Sequence, residues 1–416
     1  MNESRPDRPP TGWRANPTVR LLTRGAFARY SVANFVSLIG SWGQRVGAAW
    51  LVWEWTGSGF WLGILAMADL TPVVLTAPLA GVLADRWPRL KVNRVIQTAI
   101  AVLVAIIGLL VWFDAIGLGL LIALIAVHGV LSGLSQPARL ALVQELVARP
   151  DVPTAVAINA VKSNLARLVG PAVAAIMIAQ FHPAWVFLGN AAVTVIFVIV
   201  MGTLALIPIP PRRLSGGMFA QIAEGFRYVS GEPALRLVML VGLLGGVLVR
   251  ALGELLPAFA DRSFEDAVTG LALLTSSLAF GAVMAGLFIG RQTDDGAIMR
   301  RATAAWAWAA AFGLAFGWSV EPWLAMAWIA CSGGFIARGM ILSQTFVQLR
   351  TPDEMRGRAL SVHGLIVRAS PALGALLIGA GIDRFGLTAS VTAAALTFGV
   401  LYAIARPAVV IRSRQI

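Results

Sequence analysis

Charge is scarce in this sequence. Only 13% of its 416 residues are Asp, Glu, Lys or Arg, and 58% are hydrophobic. A soluble domain has too little interior to hide that much apolar surface from water. Cysteine is nearly absent. The one thiol, Cys331, lies in an apolar run, which excludes an intrachain disulfide and a cysteine metal site and predicts a thiol packed in the core. Histidine is confined to His128, His182 and His363, far apart along the chain and predicted to be packing or cavity-lining groups, not metal ligands. No glycine-rich phosphate loop and no dinucleotide fingerprint occurs, so no ATP drive, no cofactor and no catalytic constellation is expected. Short alternating segments are missing as well, which excludes a membrane β-barrel.

What is present is a succession of long apolar runs, each able to cross ~30 Å of hydrocarbon as a helix. Twelve are predicted, at 27–55, 59–84, 92–114, 118–147, 153–180, 184–207, 236–260, 266–290, 299–317, 321–348, 355–382 and 387–405. The fold class is therefore an all-α membrane protein. Residues 1–25 are polar and arginine-rich, without a cleavage site after the first apolar run, and are expected to be a cytoplasmic tail. The predicted layout continues with a six-helix bundle at 26–207 and a linker at 208–235. A second six-helix bundle at 236–405 and a cytoplasmic tail at 406–416 complete it. The linker carries Phe219, Ile222, Phe226 and Val229 at helical spacing, which predicts an amphipathic helix on the membrane face.

The net charge of +13 comes from 31 Arg and 2 Lys against 20 acids. With the N-terminus in the cytoplasm, 25 of the 33 basic residues fall on the cytoplasmic side or at its helix ends, six lie within spans, and only Arg262 and Arg384 fall outside. The positive-inside rule explains this asymmetry without invoking nucleic acid. It predicts a multi-pass inner-membrane protein with both termini cytoplasmic. Trp42, Trp50, Trp53, Trp55 and Trp61 crowd the outer end of the first hairpin, and most of them are expected to anchor that rim.

The halves repeat. At an offset of 205 residues Arg45 meets Arg250, Gly81 meets Gly286 and Arg86 meets Arg291. Pro150-Asp151 then answers Pro352-Asp353 at 202, and Gly170-Pro171 answers Ser370-Pro371 at 200. A duplicated six-helix unit predicts two pseudo-symmetric bundles with a solute site between them near the bilayer midplane.

Between spans two and three stands Gly81-Val-Leu-Ala-Asp85-Arg86-Trp-Pro88-Arg89-Leu-Lys91. Asp85 ends a helix among cations and is suited to a charge latch with Arg86, Arg89 or a neighbouring helix N-terminus. The stretch resembles the loop signature of the major facilitator superfamily, departing from it at Pro88 and in the late placement of Lys91. Gly170-Pro171 followed by small residues resembles the antiporter motif of the family's exporters, which implies packing of span five on span eight. Leu51 through Ser58, Gln136-Pro137-Ala-Arg139, Arg250 through Pro257 and Met355-Arg356-Gly357-Arg358 resemble the enterobactin-exporter and macrolide-efflux branch. The resemblance implies a secondary transporter, a proton-coupled exporter of a small organic solute, drug-like or siderophore-like. An importer or lysolipid flippase of the same fold, or a non-transporting sensor or scaffold, is the alternative.

Ionisable groups deep in a bilayer cost roughly 2.5 kcal/mol or more, so they are expected to face protein or a wet cavity. Arg45 lies ten residues before Trp55 and Asp69 ten residues after Gly59, so each sits about 15 Å deep and the two are level. Their pairing would respond to a proton on Asp69. Arg250 and Glu254 are i and i+4 and are expected on one helical face. These four are the proton-coupling candidates. Asn164, Arg167, His128, Arg338, His363 and Arg368 are the candidates for lining a solute cavity. An arginine-rich cavity suits an anionic or hydrogen-bond-accepting solute. The expected partners are that solute and the lipid bilayer, with the chain acting as a monomer and binding no nucleic acid.

Overall fold

The structure is a computed structural model describing residues 17–206, 218–288 and 294–415. The side chains of residues 77, 78, 81, 82, 84–86 and 218–222 are outside that description. The described residues form fifteen α-helices and no strand. Helix α1 (Pro17–Thr23) precedes six long ones: α2 (Gly25–Thr56), α3 (Gly59–Arg86), α4 (Arg89–Trp112), α5 (Leu118–Glu145), α6 (Val152–Gln180) and α7 (Ala184–Gly202). Helix α8 (Met218–Gly231) leads into α9 (Pro233–Leu248), a 3₁₀ stretch (Arg250–Glu254) and α10 (Leu256–Ser263), which together make the seventh span. The rest are α11 (Ala267–Leu287), α12 (Asp295–Trp318), α13 (Pro322–Arg350), α14 (Asp353–Phe385) and α15 (Leu387–Arg414).

Ten of these segments are long and apolar enough by themselves to cross a membrane. Helices α2 and α12 are long enough at 32 and 24 residues, but Trp, Arg and small polar residues dilute them. Both pack against the other long helices of their own halves. The α2–α3 turn closes at Gly57, whose φ of 55° is the left-handed helix-capping conformation that glycine adopts without a Cβ penalty.

The same packing recurs in both halves. Helix α3 lies on α5 as α11 lies on α13, α4 on α7 as α12 on α15, and α2 on α6 as α9 on α14. The Gly-Pro and Ser-Pro pairs of the repeat occupy equivalent contacts. A Cβ on Gly170 would fall 2.6 Å from that of Trp42 on α2, and one on Gly246 of α9 would fall 1.9 Å from the Ser370 hydroxyl on α14. Gly170 therefore packs α6 onto α2. The α6–α11 contact is made separately, by the Ser276 hydroxyl donating to the Leu168 carbonyl at 3.0 Å. Span five therefore packs on span eight as expected, while Gly170 itself meets α2.

The halves touch along α3–α14 and α6–α11. At the end of the molecule opposite the chain termini, α3 and α14 approach backbone to backbone: a Cβ on Gly63 would lie 2.5 Å from the Leu376 Cα. Asp383 of α14 caps α3 there. It accepts from the Gly59 N–H at 2.7 Å, the Phe60 N–H at 3.2 Å and the Ser58 hydroxyl, which satisfies two otherwise orphaned first-turn amides.

Two further expectations change, and α8 makes a contact that the sequence does not indicate. Helix α8 docks on α14: Glu224 pairs with Arg358, a Cβ on Gly225 would sit 2.7 Å from the Arg358 carbonyl oxygen, and Val229 is buried. Phe226 on the same helix stays exposed, and the side chains of Phe219 and Ile222 lie outside the described residues. Residues 406–414 continue α15 through Pro407, with Val409 buried and Ser413 accepting from Arg300 at 3.0 Å, so they do not leave the bundle as a tail. Cys331 is exposed on α13. In a membrane bundle the outward face is as apolar as the inward one, so an apolar run does not place a thiol in the core.

Candidate solute cavity

A cavity of about 180 Å³ lies between the halves. Its walls come from α2, α3, α5 and α6 on one side and from the seventh span, α11 and α13 on the other. Most of the wall is apolar, including Leu62, Leu65, Ile125, Leu271, Leu278 and Ile336. Into it project Arg45, Asp69, His128, Arg167, Arg250 and Glu254. Three guanidinium groups face two carboxylates.

Arg45 is the hub. Its Nη2 lies 3.2 Å from Asp69 Oδ2 and 3.2 Å from Glu254 Oε2. Asp69 belongs to the same half, on α3, and Glu254 belongs to the other half. Among the described residues, Arg45–Glu254 is the one ion pair that joins the two halves. His128 Nδ1 is 3.6 Å from Asp69 Oδ1, too long for a direct hydrogen bond and an ion pair only when the imidazole is protonated. The approach of α5 to Asp69 needs Gly129, where a Cβ would fall 2.6 Å from the Asp69 carbonyl oxygen.

Arg250 does not pair with Glu254. The chain there is 3₁₀, not α, and ~120° per residue puts i and i+4 about a third of a turn apart. Arg250 instead donates to the Val367 carbonyl on α14 at 2.8 Å, and Glu254 is free to reach Arg45. Arg45 and Arg250 are partners in the repeat, and the fold sets them on opposite walls of one cavity.

Arg167 lies with its guanidinium 4.5 Å from the centre of the Trp42 ring, which Arg45 also approaches at 5.2 Å. Trp42 is thus a cavity residue and not part of the aromatic rim. It precedes Arg45 by three residues, a helical spacing that puts both on one face and could have revealed it. Of the other predicted lining residues, Asn164 is exposed on α6, Arg338 is not among the lining residues, and Arg368 binds Gln136 of α5 at 2.7 Å. His363 lines a separate, smaller cavity inside the C-terminal half, beside Trp306 and Ser370. No group of three or more metal-ligating side chains gathers among the described residues.

Of the predicted latch, Arg89 forms an ion pair with Glu145 at 2.9 Å, tying α4 to α5 within one half. The side chains of Gly81, Asp85 and Arg86 lie outside the described residues, as does the repeat partner Arg291.

The family of transmembrane secretion effectors matches residues 18–413. The chain belongs to this family, within the major facilitator superfamily. The members it resembles are transporters and not enzymes. It is 27% identical over 363 residues to the multidrug efflux pump Tap of Mycolicibacterium fortuitum, covering 83% of this chain and 87% of that one. It is 27% identical over 369 residues to the enterobactin exporter EntS of Salmonella typhimurium, covering 86% of each. A 28% identical match to the staphyloferrin A transporter of Staphylococcus aureus spans 38% of this chain and 40% of that protein. Among solved structures, the nucleoside transporter NupG superposes with a TM-score of 0.66 at 15% identity, covering 96% of this chain and all 100% of its own. A bacterial homologue of the lysosomal transporter Spinster gives 0.68 at 14%, covering 96% and 97%. These likenesses are of fold. The protein is a multi-pass membrane transporter of the major facilitator type with efflux relatives.

Proposed function

We propose that the protein exports a small organic solute across the inner membrane, in exchange for protons, by alternating access of the central cavity. The termini end is the cytoplasmic one in this reading, which the arginine distribution supports. The observation that carries the proposal is Arg45 shared between Asp69 of its own half and Glu254 of the other. A proton on Glu254 removes the attraction between halves and leaves Arg45 to Asp69. A proton on Asp69 instead commits Arg45 to Glu254 and draws the halves together at the centre. Proton traffic at this triad therefore changes which half holds the guanidinium, and a change of that kind is what a rocking cycle needs. One proton moving through ~100 mV releases ~2.3 kcal/mol, which sustains a roughly fifty-fold solute gradient. Relatives that export enterobactin or multiple drugs support the direction.

The test uses inside-out membrane vesicles with an acidic lumen monitored by an acridine dye. Siderophore-like and drug-like compounds are added in turn. A transported compound should release protons and restore fluorescence in the wild type. Asp69→Asn should abolish that response while preserving downhill solute exchange. Full proton-coupled transport by Asp69→Asn and by Glu254→Gln would refute the coupling scheme. Uptake of the compound into intact cells, lost on deleting the gene, would reverse the direction.

A further inference from the structure

The cavity's cations are not equally served. Arg45 has two carboxylates, and Arg250 has the Val367 carbonyl. Arg167 has neither. Its Nε is buried without a hydrogen-bond partner, and no carboxylate pairs with it among the described residues. Glu254 lines the same cavity but is held by Arg45. The Trp42 face beneath the guanidinium offers a cation–π contact, which compensates only part of the lost hydration. The fold adds no acceptor. Helix α6 does carry Pro171, which cannot donate to the carbonyl of Arg167 itself, but that freed carbonyl belongs to the residue's own backbone. A guanidinium kept this way, on the wall of a cavity and with donors unspent, is a site for an anion: a planar fork of N–H groups matches a carboxylate two bonds at a time.

We infer that Arg167 is the anchor of an anion-binding subsite, which takes the carboxylate or a comparably compact anionic group of the solute. The solute's apolar body lies on the wall of Leu62, Leu65, Ile125 and Leu278. The subsite rests on the transport reading only in taking this cavity as the solute's. The excess of one guanidinium over the carboxylates then has a purpose. The solute's negative charge completes the balance, and the loaded cavity is neutral where the empty one is cationic.

The experiment measures binding, not transport. Purified protein in detergent is titrated with 2-naphthoate, its uncharged isostere 2-naphthamide and the cationic 2-naphthylmethylammonium. The expected result is about tenfold or greater preference for the naphthoate over either isostere, a difference of ~1.4 kcal/mol. Arg167→Gln should abolish the preference by weakening naphthoate alone, and Arg167→Lys should keep part of it. Equal or absent naphthoate binding in the wild type overturns the subsite. So does an Arg167→Gln variant that keeps the full preference. The wild-type comparison stands even if that variant does not elute as a monodisperse species. The outcomes also separate from those of the export reading. Naphthoate preference without proton release in vesicles keeps the subsite and sinks proton-driven export. Proton-coupled flux that favours the amide or the ammonium does the reverse.

Discussion

Arg45 and Arg167 sit against the same indole ring, yet one has two carboxylates and the other has none. Removing either kind of arginine should therefore have opposite consequences for stability. Arg45→Ala strands Asp69 and Glu254 together in a mostly apolar cavity, and stranding a buried charge costs about 3–5 kcal/mol. Arg167→Gln removes a charge that had no partner, and should leave stability unchanged or raised. Thermal unfolding of the purified variants checks this: Arg45→Ala should melt well below the wild type and Arg167→Gln should not. Adding Asp69→Asn and Glu254→Gln to Arg45→Ala should restore much of the loss. Equal melting of the two arginine variants would mean that the pairs contribute nothing. The Arg45–Asp69 pair was legible in the sequence because the short turn at Gly57–Ser58 fixes their relative depth. Glu254 was not legible as its third member. It is 209 residues away in sequence, on the other half, and the 3₁₀ geometry that aims it at Arg45 leaves no mark in hydrophobic periodicity.

At the scale of helices, the contact between α3 and α14 combines two devices. Glycines let the backbones meet, and Asp383 caps α3 from across the interface. The carboxylate serves amides at a helix N-terminus, where negative charge is favoured. Asp383→Ala should cost about 1 kcal/mol, the usual worth of an N-cap, and Asp383→Asn should cost less because its amide oxygen still accepts. The same substitution should expose this end of the molecule. In a Cys331→Ser background, cysteine at Phe60 should react faster with a charged maleimide when Asp383 is Ala. An unchanged rate would mean that the glycine contact alone closes this end. The twelve long helical segments and their order could be read from the sequence, ten of them from apolar run length alone, because the hydrocarbon thickness dictates it. Which face of each helix turns inward could not, since lipid and core are equally apolar. That is why the sequence alone does not set Cys331 on the outward face or Trp42 in the cavity, and does not keep Asn164 and Arg338 out of it.

Among the described residues, two similar bundles are joined by the Asp383 cap at one end, by the Arg45–Glu254 ion pair at the centre, and by the Ser276–Leu168 and Arg368–Gln136 hydrogen bonds. The proposed alternating-access cycle would break and re-form the central ion pair and the terminal cap in turn. In the proposed cycle a proton on Glu254 releases the central one. The terminal one has no basic partner: Asp383 binds two amides and a hydroxyl, and those bonds hold regardless of the proton on Glu254. Opening at this end must therefore be driven by the rocking of the bundles and opposed by the cap. A covalent bond in place of the cap separates the two contacts. In the Ser58→Cys, Asp383→Cys variant, made in the Cys331→Ser background, the two thiols replace side chains that touch. The reduced variant should transport at a rate similar to Asp383→Ala. Oxidation should abolish net flux, and a reductant should restore it. Binding of naphthoate should survive oxidation, because the cavity lies below the bond and its walls are unchanged. If oxidised protein still moves solute against a gradient, α3 and α14 stay together through the cycle, and the halves would have to part along α6 and α11 instead.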